Sequence, residues 1–369
     1  MWETPLVSVL VPICNVEKYL YECLNSIRLQ TLASFEVLCI NDGSSDGSPT
    51  IIREFVAKDD RFKLIDKKNS GYGDSMNQGL DLARGKYISI LESDDFLDSE
   101  ALEYMVNRCE DENLDVLKCN FWLYWSTPGL ERLNRNNKYF SVSTSEMQAM
   151  GACRAASMPE IFWAKASIWS AMYRRSFLND NNIRFLPTPG ASFQDTSFSF
   201  KVFALAERCA FSARAFLHYR QDNEKSSVNN PGKVFCVCDE HHEISRFLDE
   251  DHSELKRELD PIRAKMKFYN YRWNYFRLSR ELQGDFLDTF AKEMRQELEQ
   301  GNVCVCDNEM ADYAFSYGEK QEIEELAFDP KMFWVHSHSN GSKSTAIKEC
   351  MKTGGILFTI KTCLHWIMR

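Results

Sequence analysis

The chain has 369 residues, 44% hydrophobic and 13% aromatic, which is enough to bury a sizeable core and excludes wholesale disorder. A formal net charge of -10 and a sequence pI near 5.4 exclude a surface built to grip the phosphate backbone of nucleic acid. The thirteen cysteines are scattered, as at Cys39, Cys109, Cys119 and Cys209, a pattern of reduced thiols in a cytoplasm rather than a disulfide framework.

The length predicts two units, a catalytic domain over 1–230 and a mainly helical region over 231–369. Met1-Trp2-Glu3-Thr4 leads into a strand without a basic region, so no secretory signal is expected, and no apolar run is long enough to span a bilayer. The expected location is cytoplasmic.

In chain order, Leu6 to Val11 reads as a buried strand stopped by Pro12, and Asn15 as the N-cap of a helix with Val16, Leu20, Leu24 and Ile27 on one face. Phe35 to Ile40 is a second strand, closed by the turn-rich segment Asn41-Asp42-Gly43-Ser44-Ser45-Asp46-Gly47. A helix over about Thr50 to Lys58 and a strand at Phe62 to Ile65 follow. The loop Lys67-Lys68-Asn69-Ser70-Gly71-Tyr72-Gly73 then leads to a helix over Met76 to Ala83. Tyr87 to Leu91 is a further strand that runs into Glu92-Ser93-Asp94-Asp95. Alternating strands and helices predict an α/β fold with a mostly parallel, Rossmann-like sheet flanked by helices. In such sheets ligands bind at the carboxyl ends of the strands, where Pro12, Asp42, Gly71 and Glu92 to Asp95 all fall.

Beyond Asn120 the pattern is irregular until an aromatic strand-to-helix segment at Ser167 to Phe177. Pro187-Thr188-Pro189-Gly190 then reads as a rigid loop ahead of Gln194-Asp195 and a helix through Val202 to Ala206. After Pro231 the chain becomes helical and charged, with Phe268, Tyr271, Trp273, Tyr275 and Phe276 expected to pack as core ahead of lining a sugar groove. Cys236-Val237-Cys238 and Cys304-Val305-Cys306 lack the spacing of a zinc knuckle. The segment 343–369 reads equally as an interfacial helix at the inner membrane surface and as a helix docked on its own region.

Three carboxylates within Glu92 to Asp95 form a costly concentration of like charge that a hard divalent cation such as Mg2+ or Mn2+ would offset, although an acidic helix start is an equally ordinary source of it. Taken alone, Asp42 reads as an ordinary turn residue and Asp195 as a helix N-cap.

The motifs Leu6 to Pro12, Ile40 to Gly47, Asn69-Ser70-Gly71 and Gly85-Lys86-Tyr87-Ile88 precede the acidic cluster in an order that resembles inverting family 2 glycosyltransferases with the GT-A fold. The resemblance implies a nucleotide diphosphate sugar, UDP-hexose by preference, as donor and a glycan or lipid-linked hydroxyl as acceptor. It implies Asp42 on the base, Pro12 beneath it, and Gly71, Ser93 and Glu92 beside the donor. Asp94 would hold the metal, joined by Glu92 directly or through water, and Asp195 would be the general base. Met76 stands where that family carries an arginine, so Lys68, Arg220 or the metal alone would meet the diphosphate. The departures at Met76, Glu92 and Gln194 keep open a noncatalytic carbohydrate- or nucleotide-binding protein on the same fold.

Overall fold

The computed structural model describes residues 4–129, 135–190, 192–223, 233–305, 315–339, 345–353, 355–356 and 359. It divides into two compact units, Met1–Asn230 with Asp239–Asp251, and Pro231–Cys238 with His252–Arg369.

The first unit is built on one sheet in the order β3-β2-β1-β4-β8-β6-β9-β5, with β7 paired to β6. Its strands are β1 (Val7–Ile13), β2 (Phe35–Asp42), β3 (Phe62–Lys67), β4 (Tyr87–Ile90), β5 (Phe96–Leu97), β6 (Val116–Gly129), β7 (Arg135–Phe140), β8 (Ala171–Arg174) and β9 (Cys209–Arg220). The β3-β2-β1-β4 half is parallel. Beyond it, β8 runs antiparallel to both β4 and β6, while β6 and β9 are parallel. The α/β sheet flanked by helices predicted from the alternation is present.

Every residue of β1 and β2 is buried, the mark of strands covered on both faces. Pro12 fits inside β1 because β4 has ended there. Leu10 opposite Ile90 is the last β1–β4 pair, and Pro12 shares the parity of Leu10, so its missing N–H faces no strand. Ser8 and Glu36 are buried polar residues within these strands, apart from Asn41 and Asp42 at the end of β2. Ser8 Oγ donates to Glu36 at 2.7 Å, and Lys63 and Arg84 meet the same carboxylate at 2.5 and 2.8 Å.

Several boundaries move. The first helix is Glu17–Arg28 with Val16 at its N-cap position, and Asn15, at φ 55, instead accepts from the Ser45 N–H. Asp42 belongs to β2 rather than to the turn after it. The third helix starts at Tyr72, not Met76, so Gly71-Tyr72-Gly73 is a helix start rather than a loop. The irregular stretch beyond Asn120 is a long hairpin of β6 and β7.

The second unit is helical, with Lys256–Arg277, Arg280–Glu299, Tyr317–Phe328 and Pro330–Ser339 as its main helices. Phe268, Tyr271, Tyr275, Phe286, Phe290 and Phe333 are buried in its core, whereas Trp273 and Phe276 face solvent. A buried Arg263 pairs with both oxygens of Glu297 at 2.6 and 2.8 Å. Of the segment 343–369, Ala346 and Cys350 are buried in a cluster with Val335, and the residues from 360 onward lie outside the described residues. Cys236, Cys238 and Cys304 form no disulfide among the described residues, and Cys306 lies outside them. Among the described residues no helix is long and apolar enough to cross a membrane.

Candidate active site

The carboxyl ends of β1, β2, β3 and β4 carry the candidate residues on one edge of the sheet. Asp42 ends β2. Its carboxylate accepts from Lys67 Nζ at 2.5 Å, from the Ser70 N–H at 2.8 Å and from the Gly71 N–H at 3.0 Å. The cation on Asp42 is therefore Lys67 rather than Lys68, which is exposed. Each carboxylate oxygen can accept two hydrogen bonds, and Oδ2 takes one here, from Gly71.

Gly71 and Gly73 are small for a spatial reason. Gly71 sits at φ 98, and a Cβ there would lie 2.7 Å from the Thr188 carbonyl and 2.8 Å from the Gly190 amide nitrogen. A Cβ on Gly73 would come within 2.1 Å of the Leu186 carbonyl oxygen. The Tyr72 N–H donates to the Gly190 carbonyl at 2.8 Å, and the Gln194 side chain ties Thr188 and Gly190 together at 2.9 and 3.3 Å. The two glycines thus let the 186–190 loop lie directly on the Gly71 segment, and that loop delivers Asp195.

The acidic turn follows β4. Tyr72 donates its hydroxyl to Glu92 Oε1 at 2.6 Å. Burial, with the neighbouring charges of Asp94 and Asp195, lifts the Glu92 carboxyl to about 8 against the lowering effect of that hydrogen bond. The longer Glu side chain in the first acidic position is turned toward Tyr72. Ser93 is buried between the carboxylates. Asp94 accepts from Asn223 Nδ2 at 2.7 Å through Oδ2. Asp95 is buried, accepts the Arg220 N–H at 2.8 Å through Oδ1, and leaves Oδ2 with no hydrogen-bond partner among the described residues. Burial and the Asp94 charge push its carboxyl far above the ordinary range.

Arg220 is the brace of this turn. Its Nε donates to the Asp94 carbonyl at 2.8 Å, Nη1 to Ser126 at 2.8 Å and Nη2 to Glu22 at 2.6 Å. The guanidinium lies 4.6 Å from the Tyr19 ring centre and 4.9 Å from that of Tyr124. Two aromatic rings and three hydrogen bonds from its own N–H groups thus engage the guanidinium within the protein. Met76 is fully buried, so its position contributes no group to the site.

Asp195 occupies the first turn of the helix Gln194–Leu205, which Phe193 opens in the left-handed conformation at φ 62. Burial raises its carboxyl to about 6, opposed by the N–H groups of Asp195 and Thr196 and by the charges of Lys165 and Lys118. Asp195 in turn contributes to the upward shift of Glu92, so its carboxyl and the acidic turn share one electrostatic site.

Sequence reasoning missed Tyr72, Lys67, Lys118 and Lys165. Lys118 is buried in β6, donates to Ser167 Oγ at 2.8 Å, and is lowered by burial to about 7. A lysine inside the apolar run Val116-Leu117-Lys118-Cys119 was the available signal. Lys165 lies 4.4 Å from the Tyr219 ring centre.

Among the described residues no three His, Cys, Asp or Glu side chains are arranged to hold a metal. The acidic turn still fits a magnesium-like ion. Such ions need only one or two protein carboxylates when substrate phosphates supply the rest, and the Asp95 Oδ2, without a partner among the described residues, lies beside Asp94 as an acceptor that such an ion would suit.

A mostly parallel α/β sheet flanked by helices, with acidic side chains gathered at its strand ends, is of the GT-A class of fold. The Glycosyl transferase family 2 model matches residues 8–203, and the chain belongs to that family. It is 32% identical over 228 residues to the putative glycosyltransferase EpsH of Bacillus subtilis, covering 59% of this chain and 61% of that relative. With the uncharacterized glycosyltransferase EpsJ of the same organism the identity is 29% over 276 residues, covering 72% of this chain and 70% of the relative. The chain thus spans less than two thirds of EpsH. Crystal structures of Staphylococcus aureus TarS 1-349 share the fold, with a TM-score of 0.64 at 19% identity over 90% of both chains. Its complex with UDP-GlcNAc gives a TM-score of 0.60 at 23% identity over 78% of this chain and 80% of that one.

Proposed function

We propose that this chain transfers a sugar from a nucleotide diphosphate sugar, a UDP-hexose first among the candidates, to a hydroxyl of a glycan or lipid-linked acceptor, with inversion at the anomeric carbon. The observation that carries the reading is the pairing of Asp195, raised to about 6 by burial, with an acidic turn on the same strand-end edge. A carboxyl of that value is ionised at neutral pH and basic enough to take the acceptor proton as the hydroxyl attacks. Membership in family 2 supports the reading, and S. aureus TarS, which shares the fold, was solved with UDP and with UDP-GlcNAc. UDP-sugars are therefore the first donors to test.

Asp42, held by Lys67 and two loop amides, is the group assigned to the base, with Pro12 near the end of β1 assigned beneath it. Gly71 keeps the backbone close there, and Glu92 with Tyr72 and Ser93 lines the ribose side. Asp94 is the carboxylate that would hold Mg2+ or Mn2+, which when bound would neutralise charge developing on the diphosphate. Arg220 acts by holding the acidic turn, while Lys165 is electrostatically linked to both Asp195 and Asp95. The setting proposed is cell-surface polysaccharide synthesis at the cytoplasmic face of the membrane.

The test is release of UDP from UDP-GlcNAc, UDP-glucose and UDP-galactose with Mn2+, with the product anomer read by NMR. Turnover with an inverted anomer is expected. A retained anomer contradicts the single-base mechanism, and UDP binding without turnover of any of the three sugars favours the noncatalytic alternative.

A further inference from the structure

The helix that carries Asp195 starts badly. Phe193 enters it in a left-handed conformation and no side chain of its own segment caps it. The Thr196 N–H folds back to the Phe193 carbonyl at 2.8 Å, which leaves the Ser197 N–H without the helical partner it would ordinarily have. That N–H instead donates to Glu240 Oε2 at 3.0 Å. Glu240 is fully buried and comes from a separate helix, Cys236–Arg246, forty-three residues further along the chain. A buried carboxyl beside a half-buried acid is expensive, and nothing in the proposed donor site uses it.

We infer that Glu240 is a positioning residue for Asp195: by accepting the Ser197 N–H it fixes the first helical turn, and with it the placement of the Asp195 carboxylate. The inference rests on the reading of Asp195 as the base, and concerns what holds that base in place.

Glu92 from the acidic turn, Lys118 from β6, Lys165 ahead of β8 and Glu240 itself are electrostatically linked to Asp195. The phenols of Tyr72, Tyr173 and Tyr219 also sense its charge. Facing Glu240 from the Asp195 helix is Lys201, which is paired with Glu243 at 2.5 Å. Burial raises Glu240 to about 8, so near pH 6 it is neutral, and a glutamine matches it in both charge and shape.

If the first turn frays, Asp195 loses N–H groups that lower its value, so its titration moves upward. The experiment is a titration of the Asp195 carboxyl in the full chain by carbon NMR of aspartate-labelled protein, with the signal assigned by its loss in Asp195→Asn. Glu240→Ala should raise the midpoint by about half a pH unit or more, roughly a threefold change in the ionised-to-protonated ratio. Glu240→Gln should restore the wild-type midpoint. Glu240→Asp, which withdraws the acceptor by one methylene, gives the same displacement in reduced size and serves if the alanine variant does not fold. An unchanged midpoint in a folded Glu240→Ala or Glu240→Asp protein overturns the inference, because a merely structural role lowers the melting temperature and leaves Asp195 as it was. The base assignment is tested separately by UDP release from Asp195→Asn, so either idea can fail without the other.

Discussion

Gly73→Ala is the most direct perturbation of the link between the donor loop and the base. The added methyl would sit 2.1 Å from the Leu186 carbonyl oxygen and 2.9 Å from its carbon, both backbone atoms. Ordinary contact for such a pair begins at 3.4 Å, so the 186–190 loop must retreat by about an ångström. Overpacking of this kind costs about 1–3 kcal/mol. At Gly71→Ala the 2.7 Å clash with Thr188 is joined by the left-handed backbone at φ 98, which adds about 1–2 kcal/mol. For a unit of this size each kcal/mol lowers the melting temperature by about 2–4 °C. Because the displaced loop carries Gln194 and leads into Asp195, UDP release should fall by about tenfold or more in both variants. The assay is a thermal melt with UDP-release kinetics on the same preparation. A Gly73→Ala protein with the melting temperature and rate of the parent would refute the docking of the loop on the glycines.

Other outcomes follow from the same structure. The rate should rise with pH through about 6 with unit slope as Asp195 ionises, since only its charged form accepts a proton, and a pH–rate profile checks this. Burial would raise Glu36, but hydrogen bonds from Lys63, Arg84 and Ser8 outweigh it and lower it from 4.5 to about 2. Its contribution to stability is thus full above 4.5 and lost as pH falls toward 2, and Glu36→Gln should cost about 3 kcal/mol in denaturant melts at pH 7 and much less at pH 2. Arg220→Ala should weaken UDP binding and lower the melting temperature together, as calorimetry and melts would record, because the guanidinium holds Asp94, Ser126 and Glu22 in one arrangement. Gly284→Ala, in the helix Arg280–Glu299 with open space around it, should stabilise the second unit by about 0.5–1 kcal/mol.

The parallel half of the sheet was legible because β1, β2 and β4 are short, apolar runs with turn chemistry at their ends. The β6–β7 hairpin was not. The hairpin shifts register between Tyr124 and Gly129, the β6–β9 pairing shifts around Asn120, and that side chain is turned to the Val142 and Ser143 amides. Gly71-Tyr72-Gly73 looked like a loop since two glycines oppose helix formation; they are there because the backbone at Leu186 and Thr188 comes too close for a Cβ. The acidic turn and Asp195 stood out as residues, yet their environment did not. That Glu92 is taken by Tyr72, that Arg220 faces inward, and that Glu240 caps the Asp195 helix all depend on contacts between segments far apart in sequence.

The central claim, a single carboxylate base at Asp195, is tested most directly by the rate of UDP release from Asp195→Asn at neutral pH, on protein shown by melting to be folded. The account predicts a fall of about 10²–10⁴-fold with UDP binding retained. A rate within twofold of the parent would contradict it.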